Sequence, residues 1–153
     1  MRPGLVRIGV LGAALAVSVA ASGQDTTYPI FTADQLDATM KTLGPNVAGV
    51  EAALRDQDYA GAKAQAIRSR EQLAVTVTFW RDQARAEAVG LLGAVLDELD
   101  ALDDLLSAPE VAAASVDTAL AEVQAGCQAC HQVYRERDPT TGAYQLRQTA
   151  ARP

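Results

Sequence analysis

The chain has two cysteines and one histidine, and all three fall within five residues, Cys127-Gln128-Ala129-Cys130-His131. In the pattern C-x-x-C-H, two thiols one helical turn apart add to the two vinyl groups along one edge of a haem. The histidine that follows then turns its imidazole to the iron as proximal ligand. The motif therefore predicts one covalent haem c, with Cys127 and Cys130 as tethers and His131 as metal ligand. Counting excludes a structural zinc site, which closes with four ligands. A thiol–disulfide pair is the other reading of two cysteines. It lacks the strand-then-helix-start setting that lowers a thiol pKa in redox motifs.

The N-terminus bears on where such chemistry would take place. Arg2 and Arg7 precede an apolar run from Ile8 to Ala21, and Ser18-Val19-Ala20 or Ala20-Ala21-Ser22 offers a small-residue cleavage site. Residues 1–22 read as a Sec-type signal peptide, too short for a comfortable membrane span. Export to the periplasm is the expected localisation, and covalent haem is attached outside the cytoplasmic membrane, so leader and motif agree. Without the leader about 131 residues remain, enough for one domain. The formal charge moves from -6 to -8, with 11 basic against 19 acidic side chains once two arginines leave. Such a chain, with no basic stripe, is not expected to bind nucleic acid, and no membrane span is expected after leader removal. Redox partner proteins with a basic docking face suit it better. The densest acidic run is Asp97, Glu98, Asp100, Asp103 and Asp104, read first as a solvated helix face.

Residues 23–138 are expected to form the domain. Thr32-Ala33-Asp34-Gln35 is a capping-box pattern, and the stripe Leu36, Met40, Leu43, Val47, Val50, Leu54 has bundle spacing. It keeps register across Gly44-Pro45, which predicts one bent helix. A second helix is expected to start at Asp58 with the stripe Ala60, Ala64, Ile67, Ala74, Val77. Its β-branched end, Val75 to Trp80, reads locally as strand, but one strand has no partner, so helix is preferred. Arg55-Asp56-Gln57 and Arg81-Asp82-Gln83 mark two helix-to-helix turns. A third helix carries Val89, Leu92, Leu96, Leu99, Leu102 and Leu106. Ser107-Ala108-Pro109-Glu110 is a second capping-box pattern, predicted to open the fourth helix, with Val116, Leu120, Val123, Cys127, Cys130 and Tyr134 inward. Asp138-Pro139 is expected to stop that helix, leaving 139–153 as a tail. The fold class is thus all-α: an antiparallel up-down-up-down four-helix bundle enclosing one haem.

Leader, bundle and C-terminal motif together resemble the class II cytochromes c, the cytochrome c-prime family. Cys127 to Arg135 is similar to the family's C-x-x-C-H-x-x-[Phe/Tyr]-Arg ending. Met40-Lys41-Thr42-Leu43-Gly44, with Asn46 following, resembles the first helix of its methionine-ligated, low-spin branch. The likeness covers about 32 to 138. It implies that Cys127 and Cys130 hold the porphyrin, that His131 binds iron, and that Arg135 lies near the proximal side of the haem. One departure is Leu36, where cytochrome c-prime usually has a propionate-binding arginine. Lys41, Arg68 and Arg70 are the alternatives for that role.

The function expected is one-electron transfer by a periplasmic c-type cytochrome. The alternative is a five-coordinate, cytochrome c-prime-like protein that binds NO or CO. No catalytic acid–base pair, nucleophile constellation or phosphate loop is present, so an enzyme is not expected. Met40 decides between the two readings. His131 is the only histidine, so bis-histidine ligation is excluded. Met1 leaves with the leader, which makes Met40 the one thioether in the mature chain. In an antiparallel bundle Met40 lies about 12 Å along the first helix, and His131 about 10 Å from Asp138 at the end of the fourth. The two are therefore expected at one height, with Met40 either the second iron ligand or a core filler on the distal side. The sequence leaves open whether two bundles pair into a homodimer.

Overall fold

The computed structural model describes residues 30–147. The expected signal peptide, residues 1–22, and the end of the expected tail, 148–153, lie outside the described residues. The chain forms α1 (Ala33–Arg55), α2 (Tyr59–Val75), a short α3 (Val77–Asp82), α4 (Ala86–Leu106) and α5 (Ala113–Tyr134), then strands β1 (Arg135–Arg137) and β2 (Tyr144–Leu146). The described residues form a mostly helical bundle of four long helices with a two-stranded antiparallel hairpin at one end.

Local chemistry fixes the helix ends. The Thr32 hydroxyl accepts from the Gln35 amide at 3.2 Å, and the Gln35 side chain accepts from the Thr32 amide at 3.1 Å, completing the capping box. α1 runs unbroken through Pro45. It ends in a Schellman turn: the Gln57 amide donates to the Leu54 carbonyl at 3.0 Å and the Asp58 amide to Ala53 at 2.9 Å. The left-handed residue there is Gln57, φ 57°. Asp58 then caps α2 by accepting from the Gly61 amide at 2.9 Å. The end of α3 repeats the device around Ala84, φ 53°. The Ala84 amide donates to Arg81 and the Arg85 amide to Trp80, both at 2.9 Å. Both expected Arg-Asp-Gln turns are therefore turns.

Four expectations need correction. The second helix, expected to carry Val77 and end at Trp80, stops at Val75, and Val77–Asp82 form the separate α3. Ser107 does not open the last helix; it is the C-cap of α4. Its hydroxyl donates back to the Asp103 carbonyl at 2.6 Å and accepts from Lys63 Nζ at 2.6 Å, so it has turned away from the following segment. α5 starts only at Ala113. On α2 the buried face is Ala62, Ala66, Ser69 and Leu73, while Ile67 is exposed. Small side chains let α2 approach both α1 and α4, against which it packs, and that outweighs burying one isoleucine. Finally, the last helix ends at Tyr134, not Asp138, and 135–147 fold back as the hairpin.

Cross-helix contacts give the directions. Asn46 Nδ2 donates to Gln72 Oε1 at 2.8 Å, while Gly49 lies against Gln65. Arg70 pairs with Asp100 and Lys63 with Asp103. Gly126 lies against Val95, and Leu102 shares a cluster with Val116 and Ala119. In each pair one number rises as the other falls, so α1/α2, α2/α4 and α4/α5 are antiparallel neighbours, all closely packed. α1 and α5 are not a closely packed pair, so the bundle is wider along that seam.

The core has two clusters. One, at the α4/α5 connection, holds Val50, Ala62, Ala66, Leu102, Leu106, Val116, Ala119 and Leu120. The other, at the opposite end, includes Leu36, Leu43, Leu73, Leu92, Val95, Leu99 and Val123 with the buried aromatics Phe79, Trp80 and Tyr134. Trp80 bridges the other two rings, with centroids 5.0 Å from Phe79 and 4.6 Å from Tyr134. These residues pack as core, as their stripe and helix-end positions suggest.

Candidate functional site

Cys127, Cys130 and His131 lie on the last two turns of α5. Helical geometry carries the two cysteines onto one face, three residues apart. Both are half-buried free thiols, and both pack against the aromatic-rich cluster. Burial alone pushes the Cys127 thiol up, and burial together with the neighbouring Cys127 pushes Cys130 up to about 11. At neutral pH both carry their protons. A reactive dithiol needs the opposite environment.

His131 is half-buried, and its Nδ1 is buried without a hydrogen-bond partner. Burial, and then the positive charge of Arg135, hold its pKa below the ordinary histidine value, so the imidazole is neutral at pH 7 with a lone pair to offer. Arg135 sits at the first position of β1, not on the helix, and its amide donates to the His131 carbonyl. Among the described residues no three His, Cys, Asp or Glu side chains gather to hold a bare metal ion.

Met40 comes from α1. It is half-buried and packs against the same cluster as Cys127 and Cys130. Carrying the antiparallel registers from α1 through α2 and α4 to α5 brings Met40 level with the Cys127–Cys130 turn. Along the bundle axis that height differs from the height of His131 by about one helical turn, or about 5 Å. The ending at Tyr134 accounts for the offset from the expected equal height: His131 lies three residues from the helix end, not seven from Asp138.

Of the propionate alternatives, Arg70 is engaged with Asp100 through two nitrogens across α2 and α4, and Lys41 pairs with Asp37 one turn back at 2.6 Å. Arg68 is exposed on α2. Two buried donors near the motif went unnoticed in the sequence: Trp80 Nε1 and Arg147 Nε, each without a partner. Arg147 approaches α5 from the hairpin, and no local pattern links it to a motif sixteen residues earlier.

The residue types are those a c-type haem would take: two thiols share a helix face, an imidazole has an unpartnered Nδ1, and a thioether on α1 packs on the same cluster as the thiols. No helix among the described residues is long and apolar enough to cross a membrane. Compared with protein-family models, curated proteins and solved structures, the chain matches none of them.

Proposed function

We propose that this chain is a periplasmic c-type cytochrome of the class II, methionine-ligated kind, a one-electron carrier holding one covalent haem c. One observation carries the reading. The only two cysteines lie one helical turn apart on α5 and pack on the same core cluster as Met40, the one thioether a mature chain would keep. Bound there, the haem would supply an Fe(III)/Fe(II) couple. The chain's own part is positioning. Cys127 and Cys130 would hold the macrocycle to α5, His131 would offer a neutral nitrogen, and Met40 would offer sulfur from α1. The aromatic-rich cluster lies against the site, and an apolar setting with neutral N and S donors would favour a raised potential.

The export signal rests on the leader-like residues 1–22. The acidic balance of the chain supports redox partners with a basic docking face. Within the acidic run, Asp100 and Asp103 face arginine and lysine of α2. The run is therefore partly internal pairing and only partly a free surface.

The test is expression in a host with cytochrome c maturation, followed by optical spectra of oxidised, reduced and CO-treated protein. The expected product carries one haem that acid-acetone does not extract, with a low-spin ferric spectrum and slow CO uptake. Met40→Ala should convert it to a high-spin, CO-reactive form with a lower potential. His131→Ala, once matured, should keep its thioethers and lose proximal coordination. A colourless helical product would refute the haem reading. A haem-loaded wild type that is high-spin and takes CO at once would refute Met40 ligation and favour the NO/CO-binding alternative.

A further inference from the structure

The hairpin 135–147 lies mostly beyond the segment that resembles the cytochromes, yet it is tied into the site from both sides. β1 continues directly from α5, and β2 packs against α1. Leu146 joins the cluster that takes Met40, Cys127 and Cys130. Arg147 returns to the end of α5. Its amide donates to the Tyr134 carbonyl at 2.8 Å, and its Nη2 to the carbonyls of Gln132 at 3.2 Å and Arg135 at 3.3 Å. Two of these, Gln132 and Tyr134, belong to the last turn of the motif helix, where carbonyls have no intrahelical donor.

Three-residue strands would not hold a hairpin in water on their own, and this one has further supports. Asp138 Oδ1 accepts from the Thr140 and Thr141 amides at 2.8 and 2.7 Å. Gly142 takes the turn at φ 70°. The guanidinium groups of Arg135 and Arg137 stack on the Tyr144 ring at 4.1 and 4.4 Å. The hairpin is thus braced at its tip and anchored at its base on both helices that border the seam.

That placement matters because the proposed haem bonds are unequal. Cys127, Cys130 and His131 share one helix, so their spacing is set by α5 alone. Met40 comes from α1, which does not pack closely on α5, and its side chain is flexible. A ligand bond between the two helices therefore depends on whatever fixes their separation. We propose that the hairpin is a strap setting the α1–α5 spacing, and that Leu146 and Arg147 are positioning residues that keep Met40 within bonding reach of an iron held by His131. The proposal rests on the haem reading above.

The test uses the matured, haem-loaded protein with Leu146→Ala, Arg147→Gln and a chain ended after Asp138. Val116→Ala, buried in the far cluster, is the control for general loss of stability. Read out are haem content, ferric spin state, the rate of CO binding to ferrous protein, and helicity and melting temperature. The strap variants are expected to keep their haem and helicity, gain a high-spin ferric fraction, and take up CO about tenfold faster or more. The rate scales with the fraction of molecules whose sixth position is open. Val116→Ala is expected to melt earlier with an unchanged spectrum. Low-spin wild type with strap variants that keep its spin state and CO rate would overturn the strap while leaving the cytochrome reading intact. The same spectral change in Val116→Ala would also overturn it, since general loosening would then suffice. If the truncated chain fails to fold, the two point variants decide. A high-spin wild type would remove Met40 ligation and the strap's role together, and a haem-free product would remove the haem reading itself.

Discussion

Gly126→Ala tests the packing that carries the motif. Gly126 directly precedes Cys127, and a Cβ built on it would stand 2.5 Å from Val95 Cγ2 and 3.8 Å from Val95 Cβ. The first distance is too short for two carbons to keep. Val95 is itself buried at 3% exposure and β-branched, so it cannot swing aside as a long side chain would. Overpacking of this kind costs about 1–3 kcal/mol. Replacing a mid-helix glycine by alanine gives back about 1 kcal/mol of helix propensity. The net expectation is a destabilisation of about 0–2 kcal/mol, or up to roughly 8 °C in melting temperature for a domain of this size.

That net value alone would not prove the clash, because two opposing terms are close in size. A double-mutant cycle separates them. Val95→Ala by itself removes two buried methyl groups and should cost about 1.5–2.5 kcal/mol, transfer and partial cavity together. In Gly126→Ala/Val95→Ala the new Cβ enters space the methyls have left. The double variant should therefore be more stable than the sum of the singles by about 1–3 kcal/mol, within the range seen for side chains in contact. Urea unfolding of all four proteins, followed by circular dichroism, measures the term. Additive effects, or a Gly126→Ala variant stabilised by the full propensity gain, would mean that α4 and α5 do not approach closely at this point. The registers carried round the bundle to Met40 would then lose their last step.

Three further expectations follow from the helix ends and the thiols. Gln57→Gly and Ala84→Gly should each raise stability by about 0.5–1 kcal/mol in urea unfolding, because both hold left-handed backbone that costs a side chain about 1–2 kcal/mol, partly offset by the greater chain entropy of glycine. Thr32→Ala and Asp58→Ala should each cost about 1 kcal/mol by removing a cap that accepts a backbone amide; no loss at either site would mean that the helix starts elsewhere. In the haem-free chain, iodoacetamide should modify Cys130 at pH 8 about a hundredfold more slowly than an ordinary thiol, since its pKa is about 11 against 9.0. The folded thiol is the one that holds its proton, so its contribution to stability is present below pH 9 and lost as pH rises through 11; rapid labelling at pH 8 would refute the buried setting.

What the sequence makes legible is what neighbours in sequence decide. The Thr32 box, the α1 stripe and the two turns at the Arg-Asp-Gln triplets all follow from contacts within five residues, and all are present. Even so, the Arg-Asp-Gln repeat misleads in register: the left-handed residue is Gln57 in one copy and Ala84, just beyond the triplet, in the other. Neither is glycine, so no residue type announces it. The Ser107 pattern fails for a non-local reason. Lys63 of α2 supplies a donor to that hydroxyl, and the Asp103 carbonyl takes its proton. On α2, alanines occur on more than one face, so a hydropathy stripe drawn through them has no unique direction; only contact with both α1 and α4 selects Ala62 and Ala66.

The same division runs through the site. Cys127, Cys130 and His131 can be placed directly because one helix carries all three, and the chemistry proposed for them rests on that adjacency. Met40 could be placed only through the assumed end of the last helix, and the end at Tyr134 moves the match by about a turn. The hairpin could not be read at all. Its strands are three residues long, too short for alternation to register. Its support comes from Arg135 and Arg137 over Tyr144 and from Arg147 at the end of α5, pairings of side chains that a scan for periodicity counts as polar surface. A second ligand supplied by another helix is thus the part of such a site most exposed to long-range packing. In the proposed cytochrome it is also the part whose strength the proposed strap would adjust without any change in the motif itself.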